Sequence, residues 1–207
     1  TNGTFGKATS VPTFDKSMAD QYYKSKYEHT VPINVDDLKW FPKVEPPSVQ
    51  YNLNPYKPKD IKKALYKKCS SSAPGEDGIV YGYLKRMPFL HKALATAFTC
   101  IRDKGEAPEK WGRSRVILIK KDENGSDEDP SNFRMISLTL NIGKLYHTLE
   151  AQRAINFMVG NKYLDPISQK AYIDGINGCV EHVTVIQEVI QHAKNNHRTV
   201  HLTWFDL

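Results

Sequence analysis

A helix-rich α+β fold carrying one β-hairpin is what this 207-residue sequence predicts. Three observations lead there. Apolar residues recur at helical spacing in several separate stretches. One short run, Arg115-Val116-Ile117-Leu118-Ile119, is β-rich and reads as a strand, with a return limb at Asn132–Leu138. Strands and helices do not alternate regularly, which argues against a βαβ arrangement.

The elements follow in order. Residues 1–16 are rich in Thr, Gly, Ser and Pro without periodicity and read as a loose arm. Ser17–His29 predicts a short helix capped by Ser17 or Asp20, with Tyr22, Tyr23 and Tyr27 as packing residues. Prolines at 32, 42, 46, 47 and 55 make residues 31–56 an extended strap. Pro58 at a first helical position, Asp60 in the first turn, and Ile61, Ala64 and Leu65 mark a helix over 58–69. A turn follows at Ser70–Gly78, where Pro74-Gly75 suggests a type II turn with positive φ at Gly75. Phe89, Leu90, Ala93, Leu94, Ala97, Phe98 and Ile101 line one face of a helix that ends in Arg102, Lys104 and a Gly105 cap. Beyond the hairpin, a helix starting near Ile142 stops near Gly160-Asn161. Another spans roughly 180–195 with Val183, Ile186, Val189 and Ile190 on one side, and feeds a last strand at Thr199–Phe205.

Composition bounds the partners. Hydrophobic content of 40% and charged content of 25% are those of a soluble globular protein. Apolar runs never exceed four to six residues, where a membrane span needs about 20, so no membrane partner is expected. Three scattered cysteines, Cys69, Cys100 and Cys179, do not make a disulfide framework and suit an intracellular setting, nucleus or cytoplasm. Thr at position 1 suggests an excerpt of a longer polypeptide. The net charge of +6 is concentrated: residues 1–56 are neutral, 57–121 carry +10 and 122–207 carry −4. That basic block holds Lys62, Lys63, Lys67, Lys68, Arg113 and Arg115, and reads as a surface for a polyanion, nucleic acid first. A solvated lysine face is the bland alternative.

Three stretches and the chain end carry the chemistry. The first is Ala73-Pro74-Gly75-Glu76-Asp77-Gly78-Ile79, a glycine-punctuated turn. The second is the hairpin, with Lys120 and Lys121 leaving one strand and Arg134 on the other. Such a hairpin can fold over a triphosphate, Arg offering paired planar donors and Lys a point charge. The third is Gln169-Lys170-Ala171-Tyr172, followed by Gly175-Ile176-Asn177-Gly178-Cys179-Val180-Glu181-His182. Last comes Trp204-Phe205-Asp206, a carboxylate behind aromatic residues. A zinc site at Cys179, His182, His197 and His201 is disfavoured, because a second thiol is missing. Neither a P-loop nor a serine-hydrolase elbow is present.

In this order and spacing, the stretches resemble the reverse transcriptase domain of LINE-type retrotransposons, which lack long terminal repeats. That family carries A-P-G-x-D-G-I, then V-x-L-I-x-K-K with N-[FY]-R-P-I-S-L, then Q-K-G-F with G-C-x-E-H, then a strand ending in F-D or [FW]-x-D. The resemblance covers roughly residues 57–207 and is specific as an ordered set. Met135 stands where the family has proline, and Ala171-Tyr172 where it has Gly-Phe. Met135 leaves the turn that aims Arg134 less rigid, and Ala171 removes a permissive backbone position.

The resemblance implies the fingers and partial palm of a right-hand reverse transcriptase fold. Residues 1–56 would be an N-terminal extension, 57–139 fingers, and 140–207 the fingers–palm helices with the first palm strand. The activity implied for the parent polypeptide is RNA-directed DNA polymerisation with Mg²⁺, template RNA, primer DNA and dNTP. Lys120, Lys121 and Arg134 would hold the dNTP, while Asp206 and the Leu207 backbone carbonyl would face the metal. The family's other two carboxylates lie downstream of this chain, so the piece alone is expected to be inactive. Two alternatives stay open. One is a noncatalytic RNA-binding module derived from such a domain, and the other a group II intron-type maturase.

Overall fold

The computed structural model describes residues 11–28, 44–167, 169–170, 173 and 175–203. Among these, six α-helices and one two-stranded antiparallel sheet establish a helix-rich α+β architecture. The chain divides into two compact units, Thr1–Glu45 with Leu53–Gln152, and Pro46–Asn52 with Arg153–Leu207.

The first unit begins with α1, Lys16–Tyr27. Its cap is Asp15, two positions before any residue the sequence suggested: the carboxylate accepts from the Met18 amide at 2.8 Å. Asp there satisfies an orphan donor of the first turn. Helix α2, Pro58–Tyr66, starts as predicted but stops three residues short of Cys69. The Asp60 carboxylate accepts from the Lys57 amide at 2.8 Å, which closes the first turn. Just beyond the helix end the Lys85 ammonium donates to the Lys68 carbonyl at 2.6 Å and to Ser70 Oγ at 3.1 Å, holding the following turn by a tertiary contact. A six-residue helix that periodicity did not reveal, α3, spans Tyr81–Arg86. Helix α4, Leu90–Lys104, ends as expected, with Gly105 at φ 70°.

The core of this unit is the seam between these helices and the start of α5, Asn141–Gly160. Ile61, Leu65 and Leu145 are fully buried. Phe98 of α4 sits at the centre of an aromatic cluster, edge-on to Tyr56, Trp111 and Tyr146 at centroid separations of 6.3, 6.1 and 5.4 Å. Edge-to-face rings gain about 0.5–1.5 kcal/mol per pair beyond their burial. Trp111 also lies over Gly143, where a Cβ would come within 3.2 Å of the indole. Buried His91 donates from Nε2 to the Leu84 carbonyl at 3.2 Å, a carbonyl being acceptor only.

Strands β1, Ser114–Lys120, and β2, Phe133–Thr139, form the predicted hairpin. Its register pairs Lys120 with Phe133, Ile119 with Arg134 and Arg115 with Leu138. Alternation therefore puts Val116, Leu118, Lys120, Phe133 and Met135 on one face and Arg115, Ile117, Ile119, Arg134 and Ile136 on the other. Helix α1 is fastened beside the hairpin's turn end. Phe14 meets Phe133 edge-on at 5.3 Å, and the Tyr23 hydroxyl lies 3.1 Å from the Pro130 carbonyl and 3.2 Å from that of Phe133.

The second unit contains the end of α5 and α6, Gly178–Asn195. Residues 46–52 pack on the former: Asn161 accepts from the Val49 amide at 2.8 Å and donates to its carbonyl at 2.9 Å. Tyr51 meets Phe157 edge-on at 5.7 Å. The face of α6 expected to be core is largely open, with Val183 and Val189 exposed and only Ala193 buried. The last predicted strand departs from expectation. Its described part, Thr199–Thr203, lies in no strand, because no described segment pairs with it. Trp204–Leu207 are outside the described residues.

Candidate nucleic-acid interface

The first motif is a turn closed by the Gly78 amide donating to the Gly75 carbonyl at 3.2 Å, with Asp77 accepting from the Ile79 amide at 3.0 Å. Positive φ falls at Gly78, at 67°, and not at Gly75 as the Pro-Gly pair suggested. Gly75 is required for a different reason. A Cβ there would lie 2.8 Å from Leu140 Cδ2 and 2.9 Å from both the Leu140 nitrogen and the Thr139 carbonyl carbon. The turn is thus pressed against the exit of β2. Asn141, fully buried, locks the junction by donating from Nδ2 to the Ile79 carbonyl at 2.8 Å. Two stretches some sixty residues apart in sequence form one structure.

The hairpin's cations separate into two environments. Lys120 is 12% exposed and pairs with Asp127 of the connecting loop at 2.7 Å. That loop is held by the Thr13 amide donating to the Asp127 carbonyl at 3.0 Å and by Asn132 Nδ2 donating to the Ser126 carbonyl at 3.1 Å. A phosphate would reach Lys120 only by displacing Asp127. Lys121 and Arg134 are exposed and make no ion pair with a described residue. Both line a cleft of about 430 Å³, whose other wall is α1 through Tyr22, Tyr23, Lys26 and Tyr27. Beside it the Asp129 carboxyl is held below its usual range, chiefly by hydrogen bonds from Ser131 and also by the charge of Lys121.

The other predicted contacts lie on α2 and around β1. Lys62, Lys63 and Lys67 are exposed, while Lys68 is half-buried. Lys62 and Lys85 stand 5.9 and 5.7 Å from the Tyr66 ring centroid, and that ring is 60% exposed. A cation-flanked, open aromatic ring is suited to a nucleobase with its phosphate. Arg113 pairs with Glu109 at 2.7 Å. Arg115 is exposed and shares its hairpin face with Arg134.

The third motif is joined across its own gap. Lys170 forms an ion pair with Glu181, and a Cβ on Gly178 would lie 2.6 Å from the Lys170 Cβ. Gly175 takes φ 83° between them. Ala171 and Tyr172 lie outside the described residues.

The expected metal ligands Asp206 and Leu207 also lie outside them. Among the described residues no group of three His, Cys, Asp or Glu side chains could hold a metal ion. Mg²⁺ requires hard oxygen donors in octahedral array, and the described part does not build such a set. No described helix is long and apolar enough to cross a membrane. No protein-family model matches the chain, and no curated protein matches it.

Sequence reasoning missed two contributors. Asp127 gave no signal beyond the acidity of its loop. The α1 residues Tyr22, Lys26 and Tyr27 look like packing and solvent positions in sequence, and the i, i+4 spacing of Tyr22 and Lys26 is their one signal.

Proposed function

We propose that this chain is the nucleic-acid- and nucleotide-binding part of an RNA-directed DNA polymerase of the LINE type, comprising fingers and the start of a palm. The observation that carries the reading is the cleft where Lys121 and Arg134, both near the hairpin's turn end, stand exposed beside an aromatic wall. The seating of the Ala73–Ile79 turn on the hairpin exit supports it, because residues grouped by the family resemblance are also grouped by packing. In this reading Lys121 and Arg134 bind phosphate, Lys120 does so after release from Asp127, and the lysines of α2 bind template RNA. Asp206 and the Leu207 carbonyl supply metal-facing oxygens, and the remaining carboxylates come from outside this chain.

The Lys120–Asp127 ion pair favours a second reading, a noncatalytic RNA-binding module in which one phosphate ligand has been neutralised. Continuation of the reading frame into an Asp-Asp turn selects the polymerase, and its absence selects the module.

The test common to both is binding to single-stranded RNA across a salt series. The log–log slope is expected to be about −0.7 per phosphate neutralised. Replacing Lys62, Lys63, Lys67 and Lys68 together by glutamine should flatten it. Salt-independent binding, or none, would reject both readings.

A further inference from the structure

Helix α1 belongs to the segment expected to be only an extension, and nothing in the motif pattern gives it a binding role. We infer that α1 supplies half of a nucleotide site: Lys26 joins Lys121 and Arg134 around a phosphate, and Tyr27 receives the attached base. The inference deepens the proposed function and rests on it.

Four features carry it. First, residues 22, 23, 26 and 27 stand at i, i+1, i+4 and i+5, so one face of α1 turns all four toward the hairpin. All four line the same cleft as Lys121 and Arg134. Second, the helix is fixed there. The Tyr23 hydroxyl is tied to the backbone of Pro130 and Phe133, and Phe14 packs on Phe133. The neighbours of Tyr23 are therefore presented at a defined height above β2.

Third, Lys26 is the α1 cation that lines this cleft, although Lys16, Lys24 and Lys26 are balanced formally by Asp15, Asp20 and Glu28. Lys24 is paired with Glu28 at 3.4 Å, and Asp15 is occupied as the cap. Lys26 makes no ion pair with a described residue and rests 5.7 Å from the Tyr22 ring centroid. That cation–π contact steers the ammonium without neutralising it. Fourth, Tyr27 lines the cleft and is 73% exposed. A tyrosine held open beside three cations offers a base a flat face while the cations take its phosphate. Of the acids in the hairpin's connecting loop, Asp127 pairs with Lys120, while Asp129 accepts from Ser131 and acts on the charge of Lys121.

The phosphate could belong to a free nucleoside triphosphate or to one unit of a single strand. The chemistry is the same, and competition separates the two.

The experiment uses the whole chain and a short fluorescent uridine oligonucleotide, titrated at several salt concentrations. Lys26→Gln should make the slope less negative by about 0.7, one phosphate contact. Lys26→Arg should restore it. Tyr27→Ala should weaken binding about fivefold or more with the slope unchanged, because stacking carries no counterion term. Arg134→Gln, which alters only the hairpin side, is the comparison. Both α1 positions are exposed, so unfolding midpoints should match the unsubstituted chain. If dTTP displaces the oligonucleotide and Lys26→Gln abolishes that displacement, the occupant is the free triphosphate. If dTTP does not compete while Lys26→Gln and Tyr27→Ala act as expected, the occupant is the strand. If Arg134→Gln flattens the slope while Lys26→Gln and Tyr27→Ala change nothing, α1 has no part in the site and the proposed function stands. If the unsubstituted chain shows no salt-dependent binding, the proposed function falls with it.

Discussion

Replacing Gly75 by alanine puts a methyl group within 2.8–2.9 Å of Leu140 Cδ2, the Leu140 nitrogen and the Thr139 carbonyl carbon. Two of those atoms are backbone, so relief requires the Ala73–Ile79 turn to lift from the β2–α5 junction. Overpacking of this kind costs about 1–3 kcal/mol. Gly78 offers the opposite case. A Cβ there meets nothing within 4 Å, but φ is 67°, and the left-handed conformation costs an L-residue about 1–2 kcal/mol. Alanine at either position should thus destabilise to a similar extent for different reasons. Asparagine tells them apart. It tolerates left-handed backbone, so Gly78→Asn should recover much of the loss. Gly75→Asn, bulkier at a steric site, should be no better than Gly75→Ala. Urea unfolding followed by Trp111 emission, with Trp40 and Trp204 replaced by phenylalanine, reads the first unit through its core indole. With a slope of about 1–3 kcal/mol per molar urea, the alanine variants should lose roughly 1 M in midpoint. A neutral Gly75→Ala, or equal losses for Gly78→Ala and Gly78→Asn, would refute this assignment of roles.

Further outcomes can be stated for the same unit. Phe98→Ala removes the centre of the aromatic cluster and should cost about 3–5 kcal/mol by the same urea assay. Asn141→Asp deletes the donor to the Ile79 carbonyl and buries a carboxyl against it. Its cost should be about 3 kcal/mol, and a loss below about 1 kcal/mol would mean the junction is not locked there. Hydrogen bonding to Ser71 lowers the Cys69 thiol from its ordinary value. Thiolate should therefore form at lower pH, so alkylation of Cys69 should begin below the usual thiol range, and Ser71→Ala should move its pH profile upward.

Local chemistry made much of this fold readable. Helix α4 and its Gly105 end follow from apolar spacing and one glycine, and the hairpin from one uninterrupted apolar run. What was not legible depended on contacts distant in sequence. Helix α2 stops before Cys69, and the turn beyond it is held from α3 by Lys85 on the Lys68 carbonyl. Gly75 is fixed by Leu140, some sixty residues away, so its Pro-Gly context misdirects toward a backbone explanation. The terminal run Thr199–Thr203 has strand composition, but a strand exists only with a partner, and none is described. At the site, Lys121 and Arg134 were visible as hairpin cations. That Lys120 would be taken by Asp127, and that α1 would close the cleft, depended on where the acidic loop and the helix come to rest.

Crosslinking RNA to the chain tests the central claim most directly. A single strand carrying photoreactive thiouridine would be bound at low salt and irradiated, and the attached peptides read by mass spectrometry. Adducts should fall on residues 133–136 of β2 and on Tyr22 or Tyr27 of α1, with a second group near Tyr66. Adducts confined to α6, or spread without preference over exposed tyrosines and lysines, would contradict a nucleotide cleft at the hairpin.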